Sequence, residues 1–504
     1  MPLLRFLTTE RLVFAIFLVI LAGFVSAFNA DTFLHLAAGR YIVETGSLPH
    51  RDVFSFSAEG RPWVMHEWLY QALIFLLYEA AGMSGLKLLT GLACIFTLYL
   101  AKKSADLLTR QAWVKWLVLG LLLILLERFI SPRPVLVTMV LFAFYLYALL
   151  AYRCGSSRRL LYWLPPLMIL WVNSHGGFIV GLVLIAYFSL LQTLDDRIRH
   201  GVWVLPRLPL AILLLCLVAS LLNPYGYAQL LFPLRLMSDW SVGMALEWRP
   251  PDFSQWHNQV FLGTVLLFAF VAAVAKGKES IFAVALALPF VLAAFSAVRH
   301  VLLASLVLAP YLSLLLGAAA EQGRVVFGRF VPGLSLWRQE QRRQELGETE
   351  YVLNGIVLLV MVLMLYLAYP AHRSWLAGQE EALYPVTATR YLKSNGIEGR
   401  LFSPMGYSDY ILFSLYPRIK IFYDVRLEIY GEQLTRDYFT MKEAGDGWQE
   451  LFRRHAIDVV VTKASGRLYA ELSDAAAYDN VHEDETNAVF LRKGHPSSHL
   501  ATQL

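Results

Sequence analysis

Charge is scarce in this chain. Only 16% of its 504 residues are Asp, Glu, Lys or Arg, while 57% are hydrophobic. Soluble domains carry about a quarter charged residues. The composition therefore points to a polytopic membrane protein with some attached aqueous mass, and the mean hydropathy of +0.53 agrees. Cysteine is almost absent. Two of the three (Cys94 and Cys216) fall inside apolar runs and Cys154 in a short basic loop, which argues against a disulfide framework or a cysteine-ligated zinc site. The net charge is a modest +5 and no Lys/Arg block is interleaved with aromatics, so nucleic acid is not an expected partner. Neither a GxGxxG nor a P-loop occurs, leaving no motif for nucleotide binding.

What is present is a series of apolar runs. They lie near 11–29, 84–101, 113–127, 134–152, 160–173, 176–193, 206–222, 259–275, 279–297, 301–317 and 351–369, eleven in all. The first is long for a signal peptide and suits a retained span. The segment HEWLYQALIFLLYEAA, 66–81, is ambiguous. Counted as a span, it would put Lys102, Lys103, Arg110 and Lys115 outside, against the positive-inside bias. Read as an amphipathic helix on the outer surface, it leaves the basic residues concentrated in the inner loops. The expected protein is thus a polytopic α-helical membrane protein of about eleven spans. Its N-terminus is cytoplasmic, and it sits in the inner (plasma) membrane among membrane lipids. A transmembrane domain covers 1–370, with a first outer loop at 30–83 and a cytoplasmic loop at 318–350. After it the composition changes. Residues 371–504 mix charged runs with short β-rich segments such as Ile457–Val461 and helical patterns at 384–395, 431–443 and 446–455. That mixture predicts an extracytoplasmic (periplasmic) α/β domain.

This topology puts the unusual polar clusters on one side. They are Asp31–Glu67, ERFISPR at 127–133, NSHGG at 173–177, NPYG through EWRPPDF at 223–253, and Arg299–His300. Ionisable groups at membrane depth are costly and tend to line a cavity or pair with one another. A shared outward-facing site is the reading that accounts for all five.

A first span followed by Asp31 and Gly39, then Gly60-Arg61-Pro62-Trp63 and the HEWLYQALIFLLY helix, resembles the GT-C superfamily. Members of it, including protein O-mannosyltransferases and the lipid A aminoarabinose transferase, transfer sugars from polyprenyl phosphates. The residues Asp31/His35, His66-Glu67-Trp68, Asn223–Gly226, Glu247-Trp248 and Asp424–Tyr430 also match a plan shared by bacterial membrane proteins of this type. Oligosaccharyltransferase catalytic subunits offer a narrower likeness to SPMGYSDYILFSLYPRIKIFYDVRLEIYG, 403–431. Their paired tryptophans are missing here, and no D-N-x-T-W-N pattern follows Asp424.

The resemblance implies a polyprenyl-phosphate-linked sugar donor, a lipid, glycan or protein acceptor, and transfer at the periplasmic face. Such a displacement needs a base for the acceptor's proton and cations for the departing phosphate. Asp31 is the expected base, although its position also suits an N-cap for a helix starting at Thr32. His35, one turn on, could orient Asp31, share a metal with it or face the headgroups. With His66 and Glu67 these two make a possible Mg²⁺ or Mn²⁺ set, against which stands the divergence of adjacent side chains on a helix. Arg128, Arg133, Arg299 and Arg426 are candidates for the phosphate, with His175 and His300 as secondary donors. Arginines at membrane ends also snorkel to headgroups. Trp248 could hold sugar or lipid, or anchor the interface. Whole-glycan transfer to protein, and a non-enzymatic glycan transporter or membrane scaffold, are the alternative functions.

Overall fold

The computed structural model describes residues 29–237, 246–275, 277–328, 352–357 and 381–497, together with Leu12, Gly243, 359–360 and Leu363. The expected spans at 11–29 and 351–369, and most of the loop at 318–350, fall largely outside the described residues. Six of the described helices are long and apolar enough to cross a membrane.

The chain begins with α1 (Ala30–Thr45) and continues into α2 (Trp68–Leu108), α3 (Ala112–Leu126) and α4 (Val135–Arg153). Then come α5 (Leu164–Val172), α6 (Phe178–His200), α7 (Arg207–Ala219) and α8 (Tyr227–Met237). The last of the apolar series are α9 (Trp256–Ala275), α10 (Lys278–Ser296) and α11 (Val301–Gly328). The ambiguous stretch at 66–81 and the run at 84–101 both lie in α2, which breaks at Gly82 with φ 59° and ψ −154°. Glycine reaches that left-handed φ at little cost, so the helix before the break and the apolar helix after it take different directions.

Residues 381–497 build a five-stranded sheet in the order β2-β1-β3-β5-β4. Its strands are β1 (Gly399–Phe402), β2 (Ile419–Ile421), β3 (Val459–Lys463), β4 (Tyr478–Glu483) and β5 (Asn487–Arg492). The first three are parallel, with Gly399 opposite Ile419 and Leu401 opposite Val459. β5 runs antiparallel to both β3 and β4. Four of the five residues of β3 are buried, as expected of a central strand covered on both faces. The connecting helices are α12 (Val386–Ser394), α13 (Met405–Leu415), α14 (Leu427–Lys442), α15 (Trp448–Arg454) and α16 (Arg467–Asp474).

Two apolar cores result. One fills the space between the helices from the second half of α2 to α11. The other joins the sheet to α1, to the loop at 54–65 and to the first half of α2. In packing, therefore, the first loop belongs with the sheet. The junction is also hydrogen-bonded: Phe56 N–H donates to Ile421 O at 3.0 Å and Ile421 N–H to Phe54 O at 3.3 Å, which covers the β2 edge. At Gly39 a Cβ would collide with the Gln71 carbonyl. A glycine there is what allows α1 to lie directly on the α2 backbone, which explains its place in the motif.

Candidate active site

Alternate loops gather at the same end of the helices. Trp68 Nε1–H donates to Asn173 Oδ1 at 2.8 Å, and Gln229 Nε2–H to the His66 and Val172 carbonyls at 3.1 and 3.0 Å. The Met65 N–H donates to the Tyr225 hydroxyl at 3.1 Å. The HEW, NSHGG and NPYG stretches are thereby tied into one surface. The intervening loops meet at the other end, where Arg153 and Arg199 of α4 and α6 share Asp195 and Glu279.

Asp31 stands in the first turn of α1. The cap is not Asp31 but Asn29, whose side chain accepts from the Asp31 N–H at 3.0 Å. That leaves the Asp31 carboxylate free for Arg133, whose Nη1 lies 3.1 Å from Asp31 Oδ2. Arg133 is held in the Ser131–Pro134 turn by its own Nε–H bond to Ser131 Oγ at 3.0 Å. Burial works against its charge, but Asp31 and then Glu247 outweigh it and raise its pKa. Arg133 Nη1 is also 3.6 Å from Glu247 Oε2, and Arg299 Nη1 is 3.5 Å from Glu247 Oε1. Arg299 in turn lies over the Trp248 ring, 4.1 Å from its centroid. One chain of charges thus runs Asp31–Arg133–Glu247–Arg299.

Beside it is a second group centred on Glu67. Three ring nitrogens face its carboxylate: His35 Nδ1 at 3.6 Å, His66 Nε2 at 3.4 Å and His175 Nε2 at 3.8 Å. His66 and Glu67 were expected to diverge as helix neighbours. They meet because the helix starts only at Trp68 and Glu67 caps it with φ −115° and ψ 16°. Burial raises the Glu67 carboxyl, but the His66 charge, their hydrogen bond, and His35 and His175 together hold it at about 2. For His66 the same partnership overcomes burial and raises the pKa. His175 is different. Burial pushes it down to about 3 in spite of Glu67, with Arg299 adding to the fall. Its Nδ1 accepts from the Gly177 N–H at 3.2 Å and contacts the Thr138 hydroxyl at 2.6 Å, while Thr138 accepts from Trp171 Nε1–H at 2.8 Å. The proton of neutral His175 is therefore on Nε2, aimed at Glu67. His35 is also lowered, burial outweighing Glu67 and Asp31, and its Nδ1 contacts Gln71 Nε2 at 3.1 Å.

This arrangement bears on the expected metal set. Asp31 is occupied by Arg133, His66 by Glu67, and His175 presents an N–H. Among the described residues no group of three or more His, Cys, Asp or Glu side chains is disposed to hold a metal ion. The guanidinium groups of Arg133 and Arg299 are cationic side chains placed at the site.

Two expected phosphate ligands go elsewhere. Arg128 donates to Asn258 Oδ1 at 2.9 Å, next to a Glu127–His257 contact of 2.9 Å. Arg426 is buried, with Nη1 2.8 Å from Asp52 Oδ1 and Nη2 2.5 Å from Asp424 Oδ2. Its guanidinium faces these two carboxylates in the seam between the first loop and the sheet. His300 Nδ1 contacts the Ala293 carbonyl at 3.0 Å and its ring meets Trp248 edge-on at 6.5 Å. Sequence reasoning passed over Glu247 as the link between two arginines, and Asp52 as a partner of Arg426. It also passed over Asp409, fully buried on α13, whose carboxyl burial pushes well above the usual range, helped by Asp424 and Asp31. The only sequence signal for these was an acidic residue inside an otherwise apolar or aromatic stretch.

No family model and no curated protein matches the chain. Solved structures do. The archaeal oligosaccharyltransferase AglB from Archaeoglobus fulgidus, solved with an inhibitory peptide and a dolichol-phosphate, is similar over 95% of this chain and 74% of its own (TM-score 0.53, 10% identity). ArnT from Cupriavidus metallidurans bound to undecaprenyl phosphate is similar over 94% of this chain and 96% of its own (TM-score 0.52, 13% identity). Its apo state covers 95% and 97% (TM-score 0.54, 14% identity). The protein is a helical membrane protein. Its fold is that of the GT-C glycosyltransferases.

Proposed function

We propose that this protein transfers a sugar from a polyprenyl-phosphate donor to an acceptor at the periplasmic face of the inner membrane. The observation that carries the reading is the convergence of Arg133 and Arg299, from separate loops, beside Asp31 and Glu67 at one end of the helices. Two guanidinium groups suit a phosphate because each offers a planar fork of charge-assisted donors. ArnT and AglB, which share the fold, were solved with undecaprenyl phosphate and dolichol-phosphate.

In this reading the acceptor's lone pair attacks the anomeric carbon. The bond from that carbon to the phosphate oxygen breaks, and the electron pair leaves with the phosphate. Arg133 and Arg299 stabilise the growing negative charge, an effect large in sites where donors are already in place. As Arg133 turns to the phosphate it releases the Asp31 carboxylate, which takes the acceptor's proton. Glu67, ionised and paired with His66, keeps the neighbouring rings fixed. No step is routed through a divalent cation.

The test uses purified protein in nanodiscs and a radiolabelled pool of polyprenyl-phosphate sugars, with and without EDTA. Asp31→Asn should retain lipid binding and lose about 10²- to 10⁴-fold in transfer, the usual range for a positioned base. EDTA should leave the wild-type rate unchanged. Equal rates for wild type and Asp31→Asn would dismiss Asp31 as the base. A wild type that neither binds nor consumes the lipid would dismiss the transferase.

A further inference from the structure

Glu247 sits where an anion would be expected. Its two carboxylate oxygens reach Arg299 at 3.5 Å and Arg133 at 3.6 Å. Both distances exceed the roughly 2.7–2.9 Å of a charge-assisted hydrogen bond, so the carboxylate spans the two guanidinium groups without closing on either. Its side chain is 45% exposed, against 19% and 27% for the arginines it joins. It is the exposed and readily displaced member of the trio.

The backbone on its C-terminal side is tied down. The Val298 N–H donates to the Arg249 carbonyl at 3.0 Å, which ties the Leu246–Trp248 turn to the Arg299 segment. Trp248 stacks on Arg299 independently of Glu247. A swing of the Glu247 carboxylate would leave Arg299 stacked on Trp248 and Arg133 bonded to Ser131 and Asp31, still facing the same space.

From this geometry we infer that Glu247 is a stand-in for the donor's phosphate. It neutralises Arg133 and Arg299 in the resting site, and a prenyl phosphate, either the phosphodiester of the donor or the monoester it leaves behind, enters by displacing it. The inference rests on the polyprenyl-phosphate reading above and adds a residue that sets affinity for the donor. With no phosphate present the latch prevents two neighbouring cations from repelling each other; with phosphate bound it is superfluous.

The experiment titrates the purified full chain with farnesyl phosphate, a soluble prenyl phosphate, and separately with inorganic phosphate. Wild type, Glu247→Gln and Glu247→Ala are compared. Both variants should bind farnesyl phosphate about 3- to 10-fold more tightly, the factor expected from removing a competitor held by two partly exposed ion pairs. Adding Arg299→Met to Glu247→Gln should abolish the gain. A similar gain with inorganic phosphate would show that the headgroup alone displaces Glu247; a gain confined to farnesyl phosphate would show that the prenyl chain must deliver it. Either supports the latch. Wild-type binding with unchanged or weaker binding by the variants overturns it and makes Glu247 a brace for the arginines. Absence of saturable binding by all three proteins overturns the polyprenyl-phosphate reading, and the latch falls with it.

Discussion

Arg426→Met should loosen the seam between the first loop and the sheet, and the structure sets the size of the effect. Arg426 lies between Asp52, 2% exposed, and Asp424, fully buried. Besides the contacts of Nη1 and Nη2, its Nε–H lies 3.0 Å from each Asp424 oxygen, and its guanidinium stacks 4.4 Å over Trp63. Burial would lower its pKa, but Asp424 and Asp52 raise it well above the ordinary value. Methionine restores much of the volume over Trp63 but leaves two carboxylates without a counter-charge. Removing one partner of a buried pair costs about 3–5 kcal/mol. Asp52 retains bonds from Phe54 N–H at 3.2 Å and Ser55 N–H at 3.1 Å, which places the expected cost near the lower end. The assay is amide hydrogen exchange followed by mass spectrometry on peptides spanning 50–58 and 419–430. At about 1.4 kcal/mol per factor of ten, exchange through local opening should accelerate at least about 100-fold in both peptides. Exchange in β4 and β5, away from the seam, should change less. Adding Asp52→Asn should recover part of the loss. If both seam peptides exchange within about threefold of wild type, the triad is not what joins the loop to the sheet.

Acid should weaken the protein in two stages. His175, lowered from 6.5 to about 3, contributes stability that is lost as pH falls below about 6.5, because the unfolded chain then binds the proton first. Glu67, lowered from 4.5 to about 2, contributes stability that is lost between those two values. Thermal unfolding in detergent across this range should show the upper stage flattened in His175→Gln and the lower stage flattened in Glu67→Gln; superimposable profiles would refute the assignment. Gly39→Ala should destabilise the protein by about 1–3 kcal/mol or more, since its methyl group meets the Gln71 carbonyl with no room to shift. An unchanged melting temperature would show that α1 and α2 separate easily.

Much of the fold could be read from the chain because burial writes a local pattern. Among the described residues the apolar runs correspond to helices, and the β-rich run Ile457–Val461 leads into β3, whose first four residues are buried. The gathering of polar clusters at one end also followed from counting loops. What could not be read were partners. Asp52 and Arg426 are far apart in sequence, so no spacing rule links them. Asn29 and Asp31 in FNADTF are both good caps, and only the backbone decides that the helix starts at Ala30, giving the cap to Asn29 and freeing Asp31. The supposed divergence of His66 and Glu67 depended on one helix boundary. Moving that boundary to Trp68 reverses the conclusion.

The sheet acts on the site through α1. Phe33, two residues from Asp31, meets Tyr384 and Tyr410 edge-on at 4.9 and 4.8 Å. Further along α1, Arg40 donates to the Phe413 carbonyl at 2.8 Å and lies 4.4 Å over the Phe413 ring. On the other flank Arg61 donates to the Tyr430 carbonyl at 2.6 Å. Both edges of the first loop are therefore held by the sheet, while Asp31 itself points to Arg133 in the helical half. Since the segments that carry Asp31 and Arg133 pack into different apolar cores, their separation depends on how those cores are docked. That makes the seam at Asp52–Arg426 a determinant of how Asp31 is set against Arg133 before the proposed transfer.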